Sequence, residues 1–164
     1  MQRQVALNEA VNMKLILFLL SSIAIPIASI AMQCVGPCFT DADLSTLLRR
    51  GGKGVIYAVS EHMPLSVRGL NDIKCAAEAL GLELVVVVDP DSDPLVIGYM
   101  ASRLGFRPQR LRRLASAELM RRNLTIHYPS IQAYANGRFV GVILPGYLST
   151  EAYELALNGM MSSK

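Results

Sequence analysis

The sequence predicts an α/β fold, a central mixed sheet of about four strands flanked by helices. Three observations carry that reading. Helix-spaced and strand-like segments alternate from residue 41 onward. Four consecutive valines, Val85 to Val88, imply a strand buried on both faces. Near the end, two apolar runs meet at Asn136-Gly137, a pair suited to a tight hairpin turn.

The elements follow in order. "DADLSTLLRRGG" opens with Asp41 or Asp43 as a cap, sets Leu44, Leu47 and Leu48 on one face and stops at Gly51-Gly52. Val55 to Val59 is the first strand expected. From Pro64, Val67, Leu70, Ile73, Ala77 and Leu80 recur at helical spacing and Gly81 ends the run. "ELVVVV" is the next strand. In "DPDSDP" Asp93 is the expected cap and Pro94 the first helical residue of "LVIGYMASRLG". The acids of that loop are not a calcium motif, because the glycine at the sixth position and the acid at the twelfth are missing. "YPSIQAYANGRFVGVILPG" reads as the hairpin, and a last helix follows Ser149, with Glu151 near its positive end.

The chain has 164 residues, of which 52% are hydrophobic and 18% charged, with a formal net charge of +3. That is enough for one domain with a real core. Residues 1–31 are expected to be a secretory signal peptide: Lys14 precedes a long apolar run, and Ser29 and Ala31 suit a leader peptidase. Met13 is a better start than Met1. The alternative is an uncleaved anchor in the inner membrane, Leu15 to Ala31 being at the short limit for a bilayer span. After cleavage the chain is expected to be periplasmic or secreted, with a cysteine-containing segment, 32–40, before a domain at 41–164.

Export bears on the three cysteines, Cys34, Cys38 and Cys75, since thiols outside the cytoplasm tend to oxidise. "CVGPC" spaces the first two by three residues, and Gly36-Pro37 suits a tight turn. A structural disulfide involving Cys34 or Cys38 is one reading. A redox-active pair is the other.

"YPSIQAYANGR" and "LPGYLSTEAYELAL", in this order of elements, resemble the thioredoxin superfamily over nearly all of Asp41 to Asn158. The resemblance implies that Pro129 is the cis-proline of that fold and that Gly146 leads into its last helix. It also sets His62-Met63-Pro64-Leu65 where the family carries Cys-x-Pro-Cys. The proline is kept and both thiols are gone. Disulfide exchange needs a sulfur nucleophile with a lowered pKa, so the usual activity is not expected there. Cys75 lies too far along the helix and off its apolar stripe to replace them.

Three readings remain for that stretch. A degenerate site would serve as a protein-contact surface of His62, Met63, Pro64, Leu65, Tyr128, Pro129 and Tyr147. A soft-metal carrier, for copper above all, would use His62 and Met63 with His127 nearby, although strand alternation opposes Tyr128 and His127 facing His62 together. An oxidoreductase would use Cys34 and Cys38 folded over the site. No cofactor is expected.

The segment before Pro129 carries Arg103, Arg107, Arg110, Arg112, Arg113, Arg121 and Arg122 against one acid, Glu118. It is expected to be a helical insertion, either solvated and paired with Asp89, Asp91 and Asp93, or a surface for an acidic partner or anionic lipid. Nucleic acid is the poorest candidate, because no aromatics are interleaved for stacking.

The leading expectation is a non-enzymatic accessory module that binds an envelope protein during assembly of an envelope or electron-transfer complex. A strand followed by Met-Pro at a helix start is also similar to the thioredoxin-like pilin-assembly proteins of F-type conjugation systems, which can lack the cysteine pair. That similarity implies a conjugative role as an alternative.

Overall fold

The computed structural model describes residues 37–103, 105 and 111–162. The expected signal peptide, Cys34, Arg107 and Arg110 lie outside the described residues. The chain divides into two units, Met1–Gln33 and Cys34–Lys164, and the described residues all belong to the second.

The elements are β1 (Cys38–Thr40), α1 (Asp41–Arg49), β2 (Lys53–Val59), α2 (Pro64–Ala79), β3 (Glu83–Val88), α3 (Pro94–Arg103), β4 (Leu111–Ala115), α4 (Ala117–Arg121), β5 (Ser130–Ala135), β6 (Arg138–Pro145) and α5 (Thr150–Ser162). They build one six-stranded sheet in the order β1-β4-β3-β2-β5-β6. The first four strands in that order run parallel, whereas β5 is antiparallel to β2 and β6 antiparallel to β5.

The sheet separates two apolar layers. Val55, Tyr57, Val59, Val86 and Val88 pack with Leu70 and Ile73 of α2 and Leu157 of α5. On the other face Ile56, Ala58 and Val87 pack with Leu44 and Leu47 of α1 and Leu119 of α4. The valine run therefore serves both layers, the alternation of a strand sandwiched between helices.

Local chemistry sets the boundaries. Thr40, rather than Asp41 or Asp43, caps α1: its hydroxyl accepts from the Asp43 amide at 3.4 Å, and the Asp43 carboxylate accepts from the Thr40 amide at 2.8 Å. This reciprocal pair satisfies two amides that the first helical turn leaves without partners. Helix α2 starts with Pro64 at its first position and has no side-chain cap at Met63. In the hairpin, Asn136 and Gly137 both have positive φ, 52° and 81°, as a two-residue turn of matching twist requires.

Two strands depart from the sequence expectation of about four. Residues 38–40, expected to precede the domain, form the edge strand β1. The arginine-rich segment, expected to be helical, contains β4, in register with β1 on one side and β3 on the other. Leu111 and Leu114 are spaced as on a helix, yet they enter opposite layers of the sheet. Pairing on both sides satisfies the β4 backbone, and this nonlocal gain outweighs the local helical signal.

Candidate functional site

The site is built where the parallel strands end. After Val59, the chain passes through Ser60, Glu61 and His62 into α2. The Ser60 amide donates to Ser66 Oγ at 3.0 Å, and the hydroxyl of Tyr57 donates to the Ser66 carbonyl at 2.8 Å. These two bonds tie the first turn of α2 to β2, so the residues ahead of the helix project from a fixed base. His62 is exposed, and Met63 and Leu65 are 46% and 54% exposed. Pro64 is also exposed.

Glu61 anchors this turn to the next parallel strand. Its carboxylate accepts from the Ser92 hydroxyl and, at 3.0 Å, from the Asp93 amide ahead of α3. His62 Nε2 lies 3.6 Å from the same carboxylate. Arg113 on β4 donates to the Ser92 carbonyl at 2.7 Å. The starts of α2 and α3 and the middle of β4 are thus held together through Ser92. The importance of Glu61 and Ser92 was not read from the sequence; their contact spans 31 positions, and no local spacing signals it.

The cis peptide bond Tyr128–Pro129 immediately precedes β5. Its carbonyl partner is the amide of Gly146, 2.7 Å from the Pro129 oxygen. Tyr128 is half-buried. Burial chiefly, and then the charges of Asp89, Asp91 and Glu61, push its hydroxyl well above the ordinary tyrosine pKa. Its ring packs against the layer of α1 and α4, and the three acids that raise its pKa lie at the ends of β2 and β3, where α2 also starts. Tyr147 lies beside α2: its ring underlies the Arg68 guanidinium at 5.5 Å, and a Cβ added at Gly69 would meet it at 3.3 Å.

His127 goes elsewhere. It lines a cleft with Ile126, Ser130, Gln132 and residues of β6, and no α2 residue contributes to that cleft. Tyr128 does not line this cleft and packs instead against the layer of α1 and α4, so the bend before Pro129 parts it from His127. The structure therefore does not assemble His62, Met63 and His127 as a ligand set. Among the described residues no group of three or more His, Cys, Asp or Glu side chains has the arrangement to hold a metal ion.

The described cysteines, Cys38 and Cys75, are likewise separate from the α2 start. Cys75 is free and exposed on α2. Cys38 is disulfide-bonded. It stands in register with Arg113, Val88 and Val59, three strands from Val59. At the usual strand spacing that is ~14 Å across the sheet.

The described arginines do not form one patch. Arg112 pairs with Asp43 at 2.9 Å and lies over the Phe39 ring, whereas Arg113 faces Ser92. Arg121 and Arg122 share Glu118, at 2.7 and 3.9 Å. Arg103 lies over Tyr99. The expected pairing with Asp89, Asp91 and Asp93 does not occur among the described residues; strand β4 directs its two arginines to opposite faces of the sheet instead.

No protein-family model matches the chain, and no curated protein matches its sequence. Solved structures do match. The chain is similar to a thioredoxin-family thiol:disulfide interchange protein from Chlorobium tepidum TLS, with 15% identity, 72% of this chain and 85% of that one covered, and a TM-score of 0.55. It is similar to a DsbF homologue from Corynebacterium diphtheriae at 10% identity, covering 66% and 72%, with a TM-score of 0.55. A secreted Mycobacterium tuberculosis disulfide oxidoreductase homologous to E. coli DsbE matches at 10% identity over 66% and 82%, with a TM-score of 0.51. At such identities the likeness is one of architecture. The fold of this chain is thioredoxin-like.

Proposed function

We propose that this chain is an exported, redox-inactive docking module that binds an extended segment of an envelope protein at the start of α2, beside Pro129. One observation carries the reading: the helix start holds two exposed apolar side chains, Met63 and Leu65, and no sulfur nucleophile. Apolar side chains on a rigid base anchor interfaces, and methionine adapts to varied partners. Tyr147 adds aromatic surface beside α2. Export is supported by the apolar run at residues 15–31, and among the described residues no helix is long and apolar enough to cross a membrane.

The test has two arms. Purified protein is expected not to accelerate insulin reduction by dithiothreitol. A photo-crosslinking residue placed at 63 or 65 is expected to trap one envelope protein in cells, whereas the same residue at the exposed Leu155 traps none. Insulin reduction lost on replacing Cys38 would overturn the redox-inactive part, and equal crosslinking at all three positions would overturn the docking part.

A second reading rests on Cys38, which is disulfide-bonded. In that reading thiol-disulfide exchange proceeds through the bond at the β1 edge, not at the α2 start. The similar solved structures bear the names of disulfide oxidoreductases or interchange proteins, which favours it as the alternative. Insulin reduction that survives Met63→Glu and disappears in Cys38→Ser distinguishes it.

A further inference from the structure

On the face of the sheet that carries α1 and α4, a cleft of ≈ 650 Å³ opens between the α4–β5 connection and strands β5 and β6. Its volume is within the range of small-ligand sites, and docking at the α2 start makes no use of it. Among the described residues strand β6 is the last in the sheet and pairs only with β5, so the cleft is open along that edge.

Three kinds of group meet there. Arg121 and Arg122 both line the cleft and share a single carboxylate, Glu118, which leaves positive charge in excess. Arg122 is held in place over the Phe139 ring, 4.2 Å from its centroid. The apolar wall includes Ile126 and Val142, which are 60% and 71% exposed. The third group is Gln132, only 1% exposed and part of the lining. Its amide nitrogen donates to the carbonyls of Ala133 and Val140, at 3.0 and 3.1 Å, across the register shift between β5 and β6. Its Oε1 accepts no hydrogen bond among the described residues. That oxygen is not sealed off from the cleft, so it offers an acceptor to a donor bound there.

We propose that this cleft binds the carboxyl terminus of a peptide chain whose last residue is apolar. The terminal carboxylate is taken by the two guanidinium groups, for which planar oxygen pairs are the natural partner. The last amide N–H supplies the donor that Gln132 Oε1 lacks, and the last side chain rests on Ile126 and Val142. A fatty acid satisfies the arginines and the apolar wall but leaves Gln132 without a donor, so the peptide end is the better match to all three groups.

The probes are N-acetyl-Gly-Leu as the free acid, the same dipeptide as its C-terminal amide, and decanoate, each titrated into the full-length chain by calorimetry and by the NMR shift of the Gln132 side-chain amide. The free acid is expected to bind and to shift that resonance, and the amide to bind at least about tenfold more weakly, because a charge-assisted contact is lost. Arg121→Gln and Arg122→Gln are each expected to weaken the free acid severalfold, and Val142→Glu to weaken it further; all three alter exposed side chains, so folding is retained. Equal binding of acid and amide, binding of decanoate alone, or no binding of the acid up to about 10 mM overturns the proposal. Unchanged affinity in both arginine variants also overturns it.

Discussion

The hydroxyl of Tyr57, at the centre of β2, donates a 2.8 Å hydrogen bond to the carbonyl of Ser66 in the first turn of α2. Tyr57 is fully buried, and burial keeps its hydroxyl protonated far above the ordinary tyrosine range. With no side-chain cap at Met63, this bond and the Ser60–Ser66 contact define where the helix starts. The exposed apolar pair therefore stands on a tyrosine several residues behind it.

Tyr57→Phe is accordingly expected to lower stability by about 1 kcal/mol, the net worth of one buried hydrogen bond, and to increase amide exchange in the first turn of α2. Urea unfolding and hydrogen exchange at Ser66 and Val67 check it. Exchange unchanged there would mean that Tyr57 does not hold the helix start.

Gly69→Ala tests the same joint from the other side. A Cβ at Gly69 would come within 2.5 Å of the Tyr57 hydroxyl. The tyrosine must move from its bond, and overpacking of this kind costs roughly 1–3 kcal/mol. The expected outcome is a stability loss at least as large as that of Tyr57→Phe, and the two losses should not add in the double variant.

Acid sensitivity is expected at the junction of α1 and α4. The Asp41 carboxylate accepts from the Ser116 hydroxyl and from the Glu118 amide, the latter at 3.1 Å. The Ser116 bond first, and then the Glu118 bond, hold its pKa below the usual value of 3.8. A carboxyl depressed in the folded state stabilises fully above its unfolded pKa, and that contribution is lost as pH falls through the folded pKa. The loss therefore falls below about pH 4. Asp41→Asn is expected to be less stable than the unmodified chain at pH 6 and to approach it at pH 3, as urea midpoints at the two values would show.

At the α2 start, Met63→Glu is expected to fold normally by circular dichroism and to lose the crosslinked envelope partner. His62→Ala is expected to retain it, since the imidazole is exposed and its one charged neighbour among the described residues is Glu61 at 3.6 Å. A partner lost with His62 and kept with Met63→Glu would reverse the roles assigned to them.

Arg112→Ala is expected to cost about 1 kcal/mol, through loss of both its Asp43 pair and its packing over Phe39. Arg121→Ala, an exposed pair with Glu118, is expected to change thermal stability by less than about 0.5 kcal/mol. Equal effects would mean that the segment acts as one solvated charged surface.

By itself the sequence determined the elements whose signals are local. Periodicity and capping residues located α2, α3 and α5, Asn136-Gly137 located the hairpin, and the valine run located a two-faced central strand. The absence of thiols at the start of α2 was equally legible, because it needs only an ordered reading of strand, proline and helix. Tertiary structure decided the rest. Strands β1 and β4 exist because each offers backbone groups to the other, 75 positions apart from Cys38 to Arg113, and no window of sequence contains both. The same pairing split the arginines between two faces. The Glu61–Ser92 contact, 31 positions apart, is nonlocal in the same sense, since a hydrogen-bond donor finds its acceptor only after the chain has folded past it. His127 and Tyr128 lie side by side in the sequence, yet the fold sets one in the β6 cleft and packs the other against the layer of α1 and α4, a separation that only the folded bend before Pro129 decides.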